Sequence, residues 1–289
     1  MFLTYETNYD LLKLNKKVKF LLKANKLELN ERNFLKMSLE FASKKSDYAA
    51  ALIANEEYVF QCTGRNIIFP ESNELIKSIM ESRFDISEGF NISFPFNSFV
   101  IAMPRDSYIK PLLVSFIDKE TRAEQVNKLG FNEDAAILSV LYRDDKNDVI
   151  KSVLKKNDVP KILDSKNFYD FQEKYTTANI QDSKLKSCEH MFNAVKFACS
   201  LMIYHSACGG MMEGFPEWDR VRFPKHSKKI DYSGHVIVDT ISNDDCLDVV
   251  NVKPHFRNLK DPRFYTGIYS DIEPGSRWTL VSEHTKTRR

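Results

Sequence analysis

The stretch AAILSVLYRDDKNDVIKSVL, residues 135–154, decides the fold. Two apolar, β-branched runs, Ala135 to Tyr142 and Val149 to Leu154, flank a charged tract from Arg143 to Asp148, and that layout predicts a β-hairpin. Working outward, Ile92 to Phe96, Phe99 to Met103 and Leu112 to Ile117 are runs of the same kind, punctuated by Pro104, Pro111 and Gly130. Together they predict a central, mostly antiparallel sheet, with Thr121 to Leu129 as a helix crossing it.

On the N-terminal side the period changes from two to about 3.6. Leu11, Leu14, Val18, Leu21 and Leu22 recur at helical steps, with Lys13, Lys16, Lys17, Lys19 and Lys23 between them. Phe34, Leu35, Met37, Phe41 and Ala42 repeat the pattern after a short break, so an antiparallel helical hairpin is expected, its lysines forming the wet face. Residues 48–69 carry both signals: Ala49 to Ala54 suits a helix, whereas Tyr58 to Cys62 and Ile67 to Phe69 suit strands, and the β-prone residues favour strands. Ser72 is placed to cap a helix with Leu75, Ile76, Ile79 and Met80 on its buried stripe.

On the C-terminal side, residues 155–182 read as a polar connector that packs through Phe168, Tyr169, Phe171 and Tyr175. Leu185, Cys188, Phe192, Val195, Cys199 and Met202 predict a long helix over 183–204, stopped by Gly209 and Gly210. Beyond it, closely spaced Gly and Pro residues cut the tail into short pieces, with Val236 to Val238, Val249 to Val252 and Trp278 to Val281 as strands of an irregular β-ribbon. The expected class is α+β, with an α+β domain over 1–158 and a helix-plus-tail segment over 183–289 that can also pack with it as a single domain.

The 289 residues are enough to bury a sizeable core. Forty-two basic residues nearly cancel 40 acidic ones, so attraction to nucleic acid must come from local patches. Five cysteines without a CxxC pair argue against a disulfide framework and a zinc ribbon, and fit a reducing cytoplasm. No leader pattern or membrane-length apolar run is visible, so no membrane partner is expected.

Metal binding by Cys188, His190, Cys199, His205 and Cys208 is weaker than core packing, because Cys188 and Cys199 share the apolar stripe of the long helix. Cys208 before two glycines reads as a helix end more readily than as a nucleophile. GxSxG, P-loop, GxGxxG and HExxH motifs are absent, which leans the reading away from an enzyme; no cofactor is expected. What remains is a basic and aromatic surface: Arg220 and Arg222 after Trp218, then His255, Arg257, Arg263, Phe264, Tyr265, Arg277 and Trp278. Arginines can hold phosphate or carboxylate, and exposed aromatics can stack on bases or fill a partner's pocket.

Pro254, His255, Phe256, Arg257, Leu259, Arg263 and Phe264, followed by Gly275, Ser276, Arg277, Trp278 and Val281, resemble the end of a set of bacteriophage and mobile-element accessory proteins. That set pairs a P-H-x-R element with a glycine- and tryptophan-containing terminal strand after a long helix. Asp261, Pro262, Arg263 and Phe264 stand here where a second histidine-arginine unit would fall, so a symmetric two-histidine site is not implied. The resemblance implies a setting, the cytoplasm of an infected host cell, and no mechanism. The first expectation is an accessory protein that binds a host or defence protein as an anti-defence inhibitor or adaptor. A nucleic-acid-binding protein using the tail is the second, and a nuclease or transferase using His255 as acid or base is the third.

Overall fold

The computed structural model describes residues 2–14, 16–24, 30–45, 47–70, 72–85, 96–117, 137–155, 158–175, 182–208, 211–213, 235–238, 255–272 and 274–281. In chain order the elements are β1 (Phe2–Leu3), α1 (Asn8–Leu14), α2 (Lys16–Ala24), α3 (Glu31–Lys44), α4 (Tyr48–Cys62), β2 (Asn66–Pro70), α5 (Asn73–Glu81), β3 (Arg83–Asp85), β4 (Ser98–Ile101), β5 (Met103–Pro104), β6 (Leu112–Ile117), β7 (Ile137–Arg143) and β8 (Val149–Lys155). There follow α6 (Val159–Asp164), α7 (Phe168–Tyr175), α8 (Asp182–Cys208), β9 (Met211–Glu213), β10 (His235–Val238), β11 (His255–Asn258) and β12 (Trp278–Val281). This is an α+β fold with mostly antiparallel pairing. The chain forms two compact units: Met1–Phe69 with Phe96–Lys156 and Glu213–Ile237, and Pro70–Pro95 with Asn157–Met212 and Val238–Arg289.

In the first unit the sheet runs β8-β7-β6-β4-β2-β10. Pairing is antiparallel from β8 to β4 and parallel between β4 and β2. The hairpin read from residues 135–154 is present, with Ile137 opposite Lys155 and Arg143 opposite Val149. Its turn is organised by Asp144, whose carboxylate accepts from the amides of Lys146 and Asp148, while Asn147 takes the left-handed conformation at φ 71°. Phe60 of α4 packs in one cluster with Phe2, Tyr5, Ile67, Phe69, Val100, Ala102, Leu113 and Leu141.

Residues 48–62 are helical, which corrects the expectation of strands there. Asp47 caps the helix by accepting from the Ala50 amide, and Gly64 and Arg65, both at positive φ, end it before β2. Ala51, Leu52, Ala54, Glu56, Glu57 and Phe60 are all buried, so the helix is covered on more than one side and its sequence loses the one-sided period. Local β-propensity in Tyr58 to Cys62 is overridden by this packing.

The second unit is built on α8, where residues from Phe192 to Tyr204 are buried with the exception of the half-buried Asn193. The connector expected over 155–182 contains α6 and α7, a second correction, although its aromatics pack as anticipated: Phe168 and Phe171 lie 6.3 and 5.6 Å from the Phe192 ring. Lys196, buried on α8, donates to the carbonyls of Ser165 (2.6 Å) and Lys166 (3.3 Å) just beyond the end of α6, placing its charge at the negative pole of that short helix. Ser72 accepts from the Leu75 amide and caps α5, whose Leu75, Ile76 and Ile79 are buried. A three-stranded sheet, β12-β11-β3, pairs β11 antiparallel with β12 and parallel with β3. Phe256 is its anchor, stacked on Phe84 at 5.4 Å and edge-on to Tyr204 at 5.9 Å. The helix expected over 121–129, the strand expected over 249–252, Gly209 and Gly210, and all of the strand expected over Ile92 to Phe96 except Phe96 lie outside the described residues; Phe96 itself is in a bend before β4.

Candidate functional site

The connection from β11 to β12 carries most of the tail residues singled out from the sequence, and polar ties fix its shape. Asn258 donates through Nδ2 to the carbonyls of Gly275 and Arg277, and the Leu259 amide donates to the Arg277 carbonyl at 2.8 Å. Asp261 accepts from the Arg263 amide and opens a 3-10 turn at Pro262–Phe264, with proline where a helix start tolerates it. A second 3-10 turn, Gly267–Tyr269, begins at φ 65°, a left-handed value that glycine adopts without strain.

Tyr265 closes the loop. Its hydroxyl donates to the Leu259 carbonyl at 2.6 Å and accepts from the amides of Gly275 (2.7 Å) and Arg277 (3.2 Å). Arg277 adds a hydrogen bond to the Phe264 carbonyl and lays its guanidinium over the Tyr269 ring, 3.5 Å from the centroid. A turn-rich segment is thereby held in one conformation by one phenol, one amide side chain and one arginine.

The loop leaves apolar side chains outside. Ile268 is 86% exposed, and Phe264, Tyr269 and Ile272 are each 37–39% exposed. Arg263 is spent on Asp261 at 2.8 Å. Between Leu259 and Arg277 the bases Lys260, Arg263 and Arg277 are matched by Asp261, Asp271 and Glu273, so the segment has no net positive charge to offer phosphates.

The structure thus separates the residues picked from the sequence. Trp278 is 3% exposed and Phe256 1%, so both hold the sheet and present no surface; Tyr265 and Arg277 are ties. Arg257, the neighbour of Phe256 on a strand of alternating faces, is exposed, as are Arg263 and Phe264. The backbone of His255 pairs with Arg83 and Val281, and its side chain lies outside those described. Arg220 and Arg222 lie outside the described residues. Ile268, Tyr269 and Ile272 were not singled out from the sequence. Their only signal is apolar residues in a glycine-flanked segment without a hydrophobic period.

A second polar constellation, also missed, sits in the first unit. Asn55, Glu56 and Glu57 are consecutive and fully buried in the middle of α4. Glu57 accepts from the Tyr5 hydroxyl and the Asn8 amide, each at 3.0 Å, and lies 3.7 Å from the Arg143 guanidinium. Burial nonetheless pushes its carboxyl up to about 7. Arg143 also donates to the Glu6 carbonyl and to Asn8 Oδ1, so the group straps the N-terminal segment to the sheet.

Glu56 has no hydrogen-bond partner for either oxygen. It faces the serine row formed by Ser98, Ser115 and Ser139 on adjacent strands, and burial pushes its carboxyl up to about 8, tempered by Ser139, Lys151 and Ser115. The side chain is fully buried and out of reach of solvent.

Among the described residues no group of His, Cys, Asp and Glu could hold a metal ion. Burial pushes the Cys199 thiol up to about 12, as expected of a cysteine acting as a small hydrophobe. Among the described residues no helix is long and apolar enough to cross a membrane. No family model matches the chain, and neither does a curated protein or a solved structure.

Proposed function

We propose that the protein works by docking a partner protein through the β11–β12 loop, with Ile268 entering an apolar pocket and Phe264, Tyr269 and Ile272 around it. In the setting implied by the C-terminal resemblance, the partner is a host or defence protein, and the chain is its inhibitor or adaptor. The observation that carries this reading is the 86% exposure of Ile268 on a loop whose backbone is pinned by Tyr265. An apolar side chain left in water on a pre-shaped loop loses little conformational freedom on binding and gains its burial energy. The balanced charge of the segment favours a protein over a nucleic acid as the occupant.

The test is capture from host lysate with tagged wild-type protein and with Ile268→Asp. A stoichiometric protein held by the wild type should be lost with the variant, at an unchanged unfolding midpoint. Retention of that partner by Ile268→Asp, or its release by nuclease treatment, would count against the proposal.

A further inference from the structure

Between Leu11 and Leu27 the chain has no acidic residue and six lysines, Lys13, Lys16, Lys17, Lys19, Lys23 and Lys26. Lysines of this kind usually just keep a helix face wet. Phe20 does not fit that account. It sits in α2 and is 72% exposed, while Lys16, Lys19 and Lys23 beside it are exposed too. At about 100° per residue, Lys16, Lys19, Phe20 and Lys23 fall within one arc of roughly 100°, and the lysines span about 10 Å along the axis. Phe20 closes one edge of that arc and the exposed Lys17 lies about 60° beyond it, so the aromatic ring is flanked by lysines on both sides.

We propose that this face of α2 binds single-stranded nucleic acid, with Lys16, Lys19 and Lys23 on successive phosphates and Phe20 stacked on an unpaired base. Closely spaced lysines neutralise a polyanion with release of its counterions, and a solvent-facing ring supplies the sequence-tolerant stacking that single strands offer. A duplex keeps its bases stacked on each other and gives Phe20 no platform. A lipid surface takes up the broad apolar face of a helix lying in its plane, whereas the apolar content of this face is one ring surrounded by charges. The β11–β12 loop differs on both counts, being charge-balanced and rich in exposed apolar groups, so the two surfaces would recognise different classes of partner.

The experiment is fluorescence anisotropy with labelled oligouridine and oligothymidine of about 20 nucleotides, titrated with the full chain across a salt series. Binding should weaken as salt rises. The triple variant Lys16→Gln, Lys19→Gln, Lys23→Gln should flatten the slope of log K against log salt by about 2, and Phe20→Ala should weaken binding about tenfold. Phe20→Trp should retain binding, with its indole fluorescence quenched on saturation, a readout that an unfolded variant would not give. Tighter binding of the uridine or the thymidine strand identifies RNA or DNA as the natural ligand, and either supports the proposal. Absence of binding to both strands at low salt would overturn it, as would affinities unchanged in the lysine and Phe20→Ala variants, or binding confined to phosphatidylserine vesicles.

Discussion

The centre of α4 and the β11–β12 loop depart in opposite directions from the usual sorting of polar and apolar groups. In α4, carboxylates are buried on a regular element held by apolar packing; in the loop, apolar side chains are exposed on an irregular element held by hydrogen bonds. The difference separates what holds a region from what that region can offer. Glu57 recovers part of its desolvation through Tyr5, Asn8 and Arg143, whereas Glu56 recovers little, and both are sealed from any ligand. The loop has used the Tyr265 phenol, Arg277 and Arg263 internally, which leaves Ile268 and its neighbours for a partner.

The sharpest way to break the contrast is to remove the support beneath the loop. Trp278→Ala takes a large buried ring from the sheet and should destabilise the second unit by about 3–5 kcal/mol, measured by denaturant unfolding followed by hydrogen exchange at β11 and β12. If exchange there were unchanged, Trp278 would be a surface residue in solution and the division between tie and contact would fail.

Next comes the buried acid. A carboxyl near 8 in the folded chain and near 4.5 when free keeps a proton that the unfolded chain has released. The stability linked to Glu56 is therefore fully present below about pH 4.5 and lost as pH rises to about 8, and Glu57 adds a similar loss that ends near pH 7. Unfolding free energy should fall between pH 5 and pH 8, and Glu56→Gln should shrink that fall and stabilise the protein at pH 8 by a few kcal/mol. An identical pH profile in wild type and variant would show that Glu56 is solvated.

Tyr265→Phe keeps the ring and removes the hydroxyl that meets Leu259, Gly275 and Arg277, at a cost of about 1–3 kcal/mol. It should also weaken partner capture, because the loop loses its pre-formed shape. The smallest effect on stability belongs to Ile268→Asp, within about 0.5 kcal/mol, since its side chain is in water already. A larger loss would mean that Ile268 packs on the loop in solution.

The central sheet was legible because its strands declare themselves locally: residues 112–117, 137–143 and 149–155 are apolar and β-branched between clear breakers, and Asp144 to Asp148 is the turn that joins the last two. The helix at 48–62 was not, because burial on more than one side erases the period, and its cap at Asp47 precedes alanines that could also have led elsewhere. Asn55, Glu56 and Glu57 carry no sequence signal of burial; the sheet and the N-terminal segment packed against α4 make them interior. In the tail the residue types were legible and their division was not. Trp278 and Arg263 carry similar promise as letters, and what separates them is that Trp278 is buried on β12 whereas Arg263 sits in an exposed turn of the connection between β11 and β12. Arg257 shows the same limit: its exposure follows from Phe256 being the residue that turns inward.

Gly267 stands at φ 65°, and a Cβ added there would meet nothing within 4 Å. The obstacle to a side chain at this position is handedness, not space. A D-alanine built in by chemical ligation would find its preferred backbone conformation already in place and would narrow the wandering of the unfolded loop. The β11–β12 loop thus has, one step before Ile268, the backbone handedness that a mirror-image residue prefers, a place to attach a probe or to stiffen the contact without touching the side chain that makes it.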